Sequence, residues 1–181
     1  METTIENIVA SCTIAKEFDL SPLAEKLGVT DFDPAAFPGL IFNLDEPKVG
    51  FLILRSGKVV TTGCKNLKEL RAAMGALVQK LTAAGAPLTG NIEIHIQDIV
   101  SVTDVGKELR LSKLVGSLDI ERIEYVPEEF PGLIYRMEEP KATILLFKSG
   151  KIVCTGTTKM DENKRAIEKI TEEIRKTGIL A

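Results

Sequence analysis

The feature that most constrains how this chain can fold is that much of it is written twice. Phe37-Pro38-Gly39-Leu40-Ile41 returns as Phe130-Pro131-Gly132-Leu133-Ile134, and Glu46-Pro47-Lys48 returns as Glu139-Pro140-Lys141. Ser56-Gly57-Lys58-x-Val60-x-Thr62-Gly63 returns as Ser149-Gly150-Lys151-x-Val153-x-Thr155-Gly156. At a constant offset of 93, Phe37–Gly63 and Phe130–Gly156 share 15 of 27 residues. Upstream, Ile8-Val9 matches Ile99-Val100 and Leu20-Ser21 matches Leu111-Ser112 at an offset of 91. The second copy therefore carries two extra residues between Leu118 and Tyr125. The repeats run over 5–85 and 92–179, joined by the breaker-rich Gly85-Ala86-Pro87-Leu88-Thr89-Gly90.

Each copy reads the same way. A first strand (6–13, 92–102) leads to a short helix, with Ser21 or Ser112 as the expected N-cap. A strand through Phe-Pro-Gly-Leu-Ile follows, and Glu-Pro-Lys makes a turn because proline fixes φ and removes a donor. The apolar runs Phe51–Leu54 and Ile144–Phe147 are strands, closed by Ser-Gly-Lys hairpins into 58–62 and 151–155. A long amphipathic helix ends each unit. Leu67, Leu70, Met74, Leu77, Val78 and Leu81 form one stripe, with an Asn66/Glu69 capping box and Gly85 at the end. Ile167, Ile170 and Ile174 form the other, ended by Gly178. Two such α+β units should join their strands into one curved sheet with helices on one face. The central strands are apolar at consecutive positions, whereas a sheet with one solvated face alternates apolar and polar residues. The face without helices is therefore expected to be a large exposed apolar patch, the mark of a binding surface.

Residue usage narrows the chemistry. The three cysteines, Cys12, Cys64 and Cys154, are odd in number and lack CxxC spacing, which disfavours a disulfide framework or zinc site and fits a reduced intracellular setting. The single histidine, His95, lies in the alternating run 91–97 and reads as a strand residue on the polar face. Ser-Gly-Lys is followed by Val59 or Ile152, so it is no P-loop, and no Gly-x-Ser-x-Gly elbow occurs. These absences argue against an enzyme, and no metal or cofactor is expected. There is no signal-peptide core at the N-terminus and no apolar run of membrane-spanning length. The net charge of −3 conceals two regions. The blocks 37–65 and 130–159 hold nine basic and four acidic residues, leaving fourteen basic and twenty-two acidic elsewhere. Positive charge is thus concentrated on the two repeated strand blocks, and acidity elsewhere.

The duplicated Phe-Pro-Gly-Leu-Ile, Glu-Pro-Lys and Ser-Gly-Lys-x-Val-x-Thr-Gly motifs, with Asn7-Ile8-Val9 and Glu128-x-Phe130-Pro131-Gly132-Leu133-Ile134-Tyr135-Arg136-Met137, resemble the TATA-box-binding protein family. The resemblance covers residues 5 to 179. A short N-terminus and acidic charge make the chain look like an archaeal member. It implies a pseudo-twofold saddle, a curved ten-stranded antiparallel sheet with helices on the convex face and its concave face on the DNA minor groove. In this family, inserted apolar side chains kink the duplex, and it is a standard example of that mechanism. An apolar face suits a groove that offers few distinguishing hydrogen-bond groups, with DNA deformability supplying selectivity.

The resemblance implies roles residue by residue. Phe130 and Phe147 match the wedge pair of the second repeat. Phe37 matches one wedge of the first, but Leu54 stands where the second phenylalanine belongs, which implies an altered kink there. Asn7 matches a family asparagine that donates to the bases, whereas its counterpart is Asp98, and an ionised carboxylate cannot donate. Val9, Val60, Thr62, Val100, Val153 and Thr155 match the floor of the site. Arg136, Lys48, Lys58, Lys141 and Lys151 match phosphate-binding positions, Arg55 and Lys148 add charge beside the hairpins, and Asn43 replaces the first-repeat arginine. Glu128 matches an acidic contact to transcription factor B, and Glu129 replaces an apolar one.

The implied partners are AT-rich double-stranded promoter DNA, transcription factor B and, through it, RNA polymerase, in the nucleoid of a cell without a nucleus. Pairing of two copies would hide the apolar face when DNA is absent. Leu54, Asn43 and Asp98 keep open a divergent paralogue with weak TATA specificity that acts through protein partners. The apolar face alone would also suit a dimerisation module that binds no DNA.

Overall fold

The computed structural model describes residues 2–177. Gly178, expected to end the last helix, lies outside them, as does residue 179 at the end of the second repeat. Two compact units divide the chain: Asn7–Gln97, and Met1–Glu6 with Asp98–Ala181.

In the first unit the antiparallel order is β2 (Leu40–Leu44), β3 (Val49–Ile53), β4 (Lys58–Cys64) and β1 (Thr3–Thr13), whose opening residues belong to the second unit. The second unit runs β5 (His95–Asp104), β9 (Lys151–Thr157), β8 (Ala142–Leu146), β7 (Leu133–Met137) and β6 (Ile123–Glu124). The helices are α1 (Leu20–Leu27) and α2 (Leu67–Ala83) in the first, and α3 (Leu111–Val115) and α4 (Met160–Thr177) in the second.

Nine strands are therefore present among the described residues, against the ten expected. In the second unit a 3₁₀ turn, Ile120–Arg122, feeds β6, whose Ile123 and Glu124 pair with Tyr135 and Ile134. Arg122 fixes that turn through Asp119 and Glu138, at 3.4 and 2.7 Å. In the first unit the matching positions, Thr30 and Asp31, form no strand. They sit among Asp33 and Pro34, residue types depleted from strands.

Smaller expectations also change. The strand expected from residue 92 begins at His95, and the one expected from residue 6 begins at Thr3. Ser21 and Ser112 lie inside the first helical turns; Asp19 and Arg110 occupy the cap positions, without a side-chain cap bond. The Phe-Pro-Gly residues precede β2 and β7 rather than lying within them. The Asn66 cap is present, its side chain accepting from Glu69 N at 2.8 Å, while Glu69 accepts from Lys65 N, one residue earlier than a capping box requires.

One sheet face of each unit carries the core. In β3, Val49, Phe51 and Ile53 are buried while Gly50 and Leu52 are half-buried; in β8, Ala142, Ile144 and Leu146 alternate with Thr143 and Leu145 in the same way. The buried side is the helix side. Thr61 donates to Met74 of α2, and Asn163 of α4 donates to Thr157 of β9. Residues of opposite parity, Val60 and Thr62 or Val153 and Thr155, therefore project from the other face.

Candidate nucleic-acid interface

In the first unit this open face is laid out by register. Ile41 pairs with Leu52, Leu52 with Val60, Asn43 with Gly50 and Gly50 with Thr62. The second unit repeats the pattern with Ile134, Leu145 and Val153, and with Arg136, Thr143 and Thr155. Val9, Val60, Val100 and Val153 are half-buried, and Ile41 is 53 % exposed. Ile41, Leu52, Ile134 and Leu145 extend the apolar floor beyond the residues the motifs single out. Period-two parity would have identified them.

At one end of each face stands a pair of large side chains. Phe130 and Phe147 meet edge to face, with centroids 5.9 Å apart and planes at 68°. Both rest over Gly132: a Cβ there would lie 2.7 Å from Phe130 Cε2 and 3.0 Å from Phe147 Cε1. In the first unit Phe37 and Leu54 converge over Gly39, where a Cβ would lie 3.2 Å from each and 2.5 Å from Leu52. Phe37 is 45 % exposed and Phe130 36 %, although both are large and apolar. The glycine of Phe-Pro-Gly thus seats the paired side chains. The motif exposed this residue, but only the packing shows its purpose.

Toward the other end, each unit closes a polar clasp. Gly63 (φ 107°) donates its N–H to Asn7 Oδ1 at 2.7 Å, which orients the amide so that Asn7 Nδ2 donates to Thr62 Oγ1 at 2.8 Å. In the second unit Gly156 (φ 85°) donates to Asp98 Oδ1 at 2.7 Å, and Thr155 donates its hydroxyl proton to Asp98 Oδ2 at 2.6 Å. A positive φ turns each N–H toward its side chain, a conformation suited to glycine. Donor and acceptor between side chains are exchanged. The Asn7 clasp leaves one amide hydrogen and the Thr62 proton free, whereas the Asp98 clasp uses its donors internally and leaves acceptors.

Basic side chains border the faces. Lys48, Lys58, Lys141 and Lys151 are exposed, and none forms an ion pair among the described residues; the same holds for Arg55 and Lys148. Arg136 meets Glu124 at 3.3 Å in an exposed pair, which holds the guanidinium only weakly. Glu128 and Glu129 are exposed in the turn before Phe130. His95 is exposed beside Glu93, 3.9 Å away.

The three cysteines are free and buried. Burial raises Cys12 and Cys64 to about 11 and Cys154 to about 12, with nearby Glu69 and Asp98 adding to the last two. Among the described residues no group of acidic, cysteine or histidine side chains is placed to hold a metal, and no helix is long and apolar enough to cross a membrane.

Comparison with known proteins gives the same outline. The family profile "Transcription factor TFIID (or TATA-binding protein, TBP)" matches residues 2–84 and 93–177. The TATA-box-binding protein of Thermoplasma acidophilum is 45 % identical over 177 residues, covering 98 % of this chain and 96 % of that protein. TATA-box-binding protein 2 of Haloferax volcanii is 47 % identical over 176 residues, 97 % and 95 % of the two chains. The structure of Methanococcus jannaschii TBP superposes with a TM-score of 0.86 at 41 % identity, covering 97 % of this chain and 99 % of the other. An open, unpartnered sheet face in each of two repeats, backed by helices, defines a binding protein of duplicated α+β architecture. This chain belongs to the TATA-binding protein family of DNA-binding, non-enzymatic transcription factors.

Proposed function

We propose that this chain starts transcription by laying the open faces of its repeats along the minor groove of AT-rich promoter DNA, one repeat to each half-site, and bending the duplex. The observation that carries the reading is the pairing of an exposed apolar face with unpaired border lysines in both units. Val9, Val60, Val100 and Val153 would contact the groove floor, and Lys48, Lys58, Arg136, Lys141 and Lys151 the phosphates. Phe130 and Phe147 would wedge at one end, Phe37 and Leu54 at the other. Bending would be driven by the apolar area removed from water, offset by the cost of unstacking bases, as in the family's known mode. Transcription factor B would dock on the turn bearing Glu128 and Glu129 and bring RNA polymerase with it.

The test is binding to an AT-rich duplex and to a GC-scrambled one at two salt concentrations. The reading expects preference for the AT-rich duplex and weaker binding at higher salt. Equal binding to both, with transcription factor B present, would overturn it. Leu54, Asn43 and Asp98 favour a second reading, a divergent paralogue with relaxed TATA specificity that acts mainly through protein partners. Equal binding to both duplexes together with retained binding of transcription factor B would select it.

A further inference from the structure

The two clasps offer opposite chemistry to whatever lies on the open face. Beside Asn7, one amide hydrogen and the Thr62 hydroxyl proton are free to donate. Beside Asp98, Gly156 N–H and Thr155 O–H both point at the carboxylate, at 2.7 and 2.6 Å, so Thr155 has no proton left to offer. A carboxylate has about four lone-pair positions, of which the clasp occupies two. Asp98 is half-buried, two positions along the strand from the half-buried Val100.

An A·T pair shows the minor groove only acceptors, adenine N3 and thymine O2, whichever way round it lies; the single donor available there is the N2 amino group of guanine. Acceptors meet acceptors when Asp98 faces A·T. They meet a donor when it faces G·C. We propose that Asp98 is a specificity-determining residue that selects a G·C pair at one step of an otherwise AT-rich site, by accepting a hydrogen bond from guanine N2. The assignment rests on the minor-groove reading above. It also gives the protein a polarity on DNA, because only the Asp98 clasp offers a charged acceptor to the guanine amino group, while the free donors beside Asn7 suit A·T. A promoter with G·C on one side of its centre would then be bound in one direction.

The experiment places a G·C pair, and separately an inosine·C pair, at each step in turn of an AT-rich duplex and measures affinity by fluorescence anisotropy. Inosine lacks only the N2 amino group, so the comparison isolates the proposed contact. At one step the unmodified chain should bind guanine about tenfold more tightly than inosine, the scale of one hydrogen bond to a charged group. At the other steps inosine should bind equally or better. Asp98→Asn, which restores the arrangement seen at Asn7, should abolish the guanine preference. Inosine preferred at every step by the unmodified chain, or a guanine preference that survives in Asp98→Asn, would overturn the assignment while leaving minor-groove binding intact. Failure to prefer the parent AT-rich duplex over its GC-scrambled form would overturn the underlying reading as well. The scan of the unmodified chain decides the matter even if the variant folds poorly.

Discussion

Phe130 meets Phe147 edge to face with ring centroids 5.9 Å apart, and the equivalent place in the first unit is held by Phe37 and Leu54. Two aromatic rings present more area and flat faces to a pair of separated bases; leucine supplies bulk without a face. Phe147→Ala should therefore reduce DNA bending more than Leu54→Ala. Energy transfer between dyes at the duplex ends measures the difference, and equal losses would contradict the reading.

Gly132 carries both rings. A methyl group there would stand 2.7 Å from Phe130, closer than carbon atoms tolerate, and 3.0 Å from Phe147, a tight contact, so the Phe130 ring must move. Gly132→Ala should weaken binding to an AT-rich duplex by about tenfold, the loss expected when a wedge is mispositioned rather than removed. Circular dichroism should stay unchanged, because the rings lie on the open face. Unaltered affinity would show that ring placement is not critical.

Asp98→Asn should strengthen binding to a site made only of A·T pairs. The amide keeps an oxygen for Gly156 N–H and gains donors for the groove, while a negative charge leaves a region of negative potential. A gain of about tenfold is expected on the scale of one hydrogen bond. Anisotropy titrations against an all-A·T duplex measure it, and unchanged or weaker affinity would count against the donor argument.

Asn163 is the hub of a buried polar group in the second unit. It accepts from Ser101 at 2.6 Å and donates to Thr157 and to Ile99 O at 3.0 and 3.1 Å. The first unit fills the same places with Leu70, Ala10 and Cys64. Asn163→Ala should cost about 3 kcal/mol, since it strands buried partners and opens a space. Replacing Asn163, Ser101 and Thr157 together with Leu, Ala and Cys should recover most of that, because only the Ile99 carbonyl then loses side-chain partners. Urea denaturation compares the two. A triple variant less stable than the single one would show that the network contributes more than satisfaction of its own members.

The buried thiols set a pH window. Cys12 and Cys64 are raised by burial from 9.0 to about 11, and Cys154 to about 12. The fold keeps these protons where the unfolded chain loses them, so this stabilisation is complete below pH 9 and is lost as the pH climbs through 11 to 12. At pH 8 only about one thiol in a thousand is ionised at a pKa of 11, and access is blocked as well. A thiol-reactive dye should label the native protein slowly at that pH and all three cysteines rapidly in denaturant. Fast native labelling would show that the units open readily.

The repeat made the architecture legible in the sequence, because apolar spacing and turn residues act locally and appear in both copies. The helices after Asn66 and Lys159, the hairpins at Gly57 and Gly150, and the face bearing Val60 and Thr62 all follow from period and turn chemistry. The tenth strand did not form, because strand pairing needs a partner edge and a braced turn, and only Arg122 with Asp119 and Glu138 supplies one. The opposite character of the two clasps was visible only as Asn7 against Asp98. Which hydroxyl proton points where depends on Thr62, Gly63, Thr155 and Gly156, more than fifty residues away in the chain. The sequence by itself determined the elements and the open face, through local preference and hydrophobic period. Only the tertiary structure decided which side chains rest on Gly39 and Gly132 and in which direction each clasp donates, because those properties arise from contacts between distant strands.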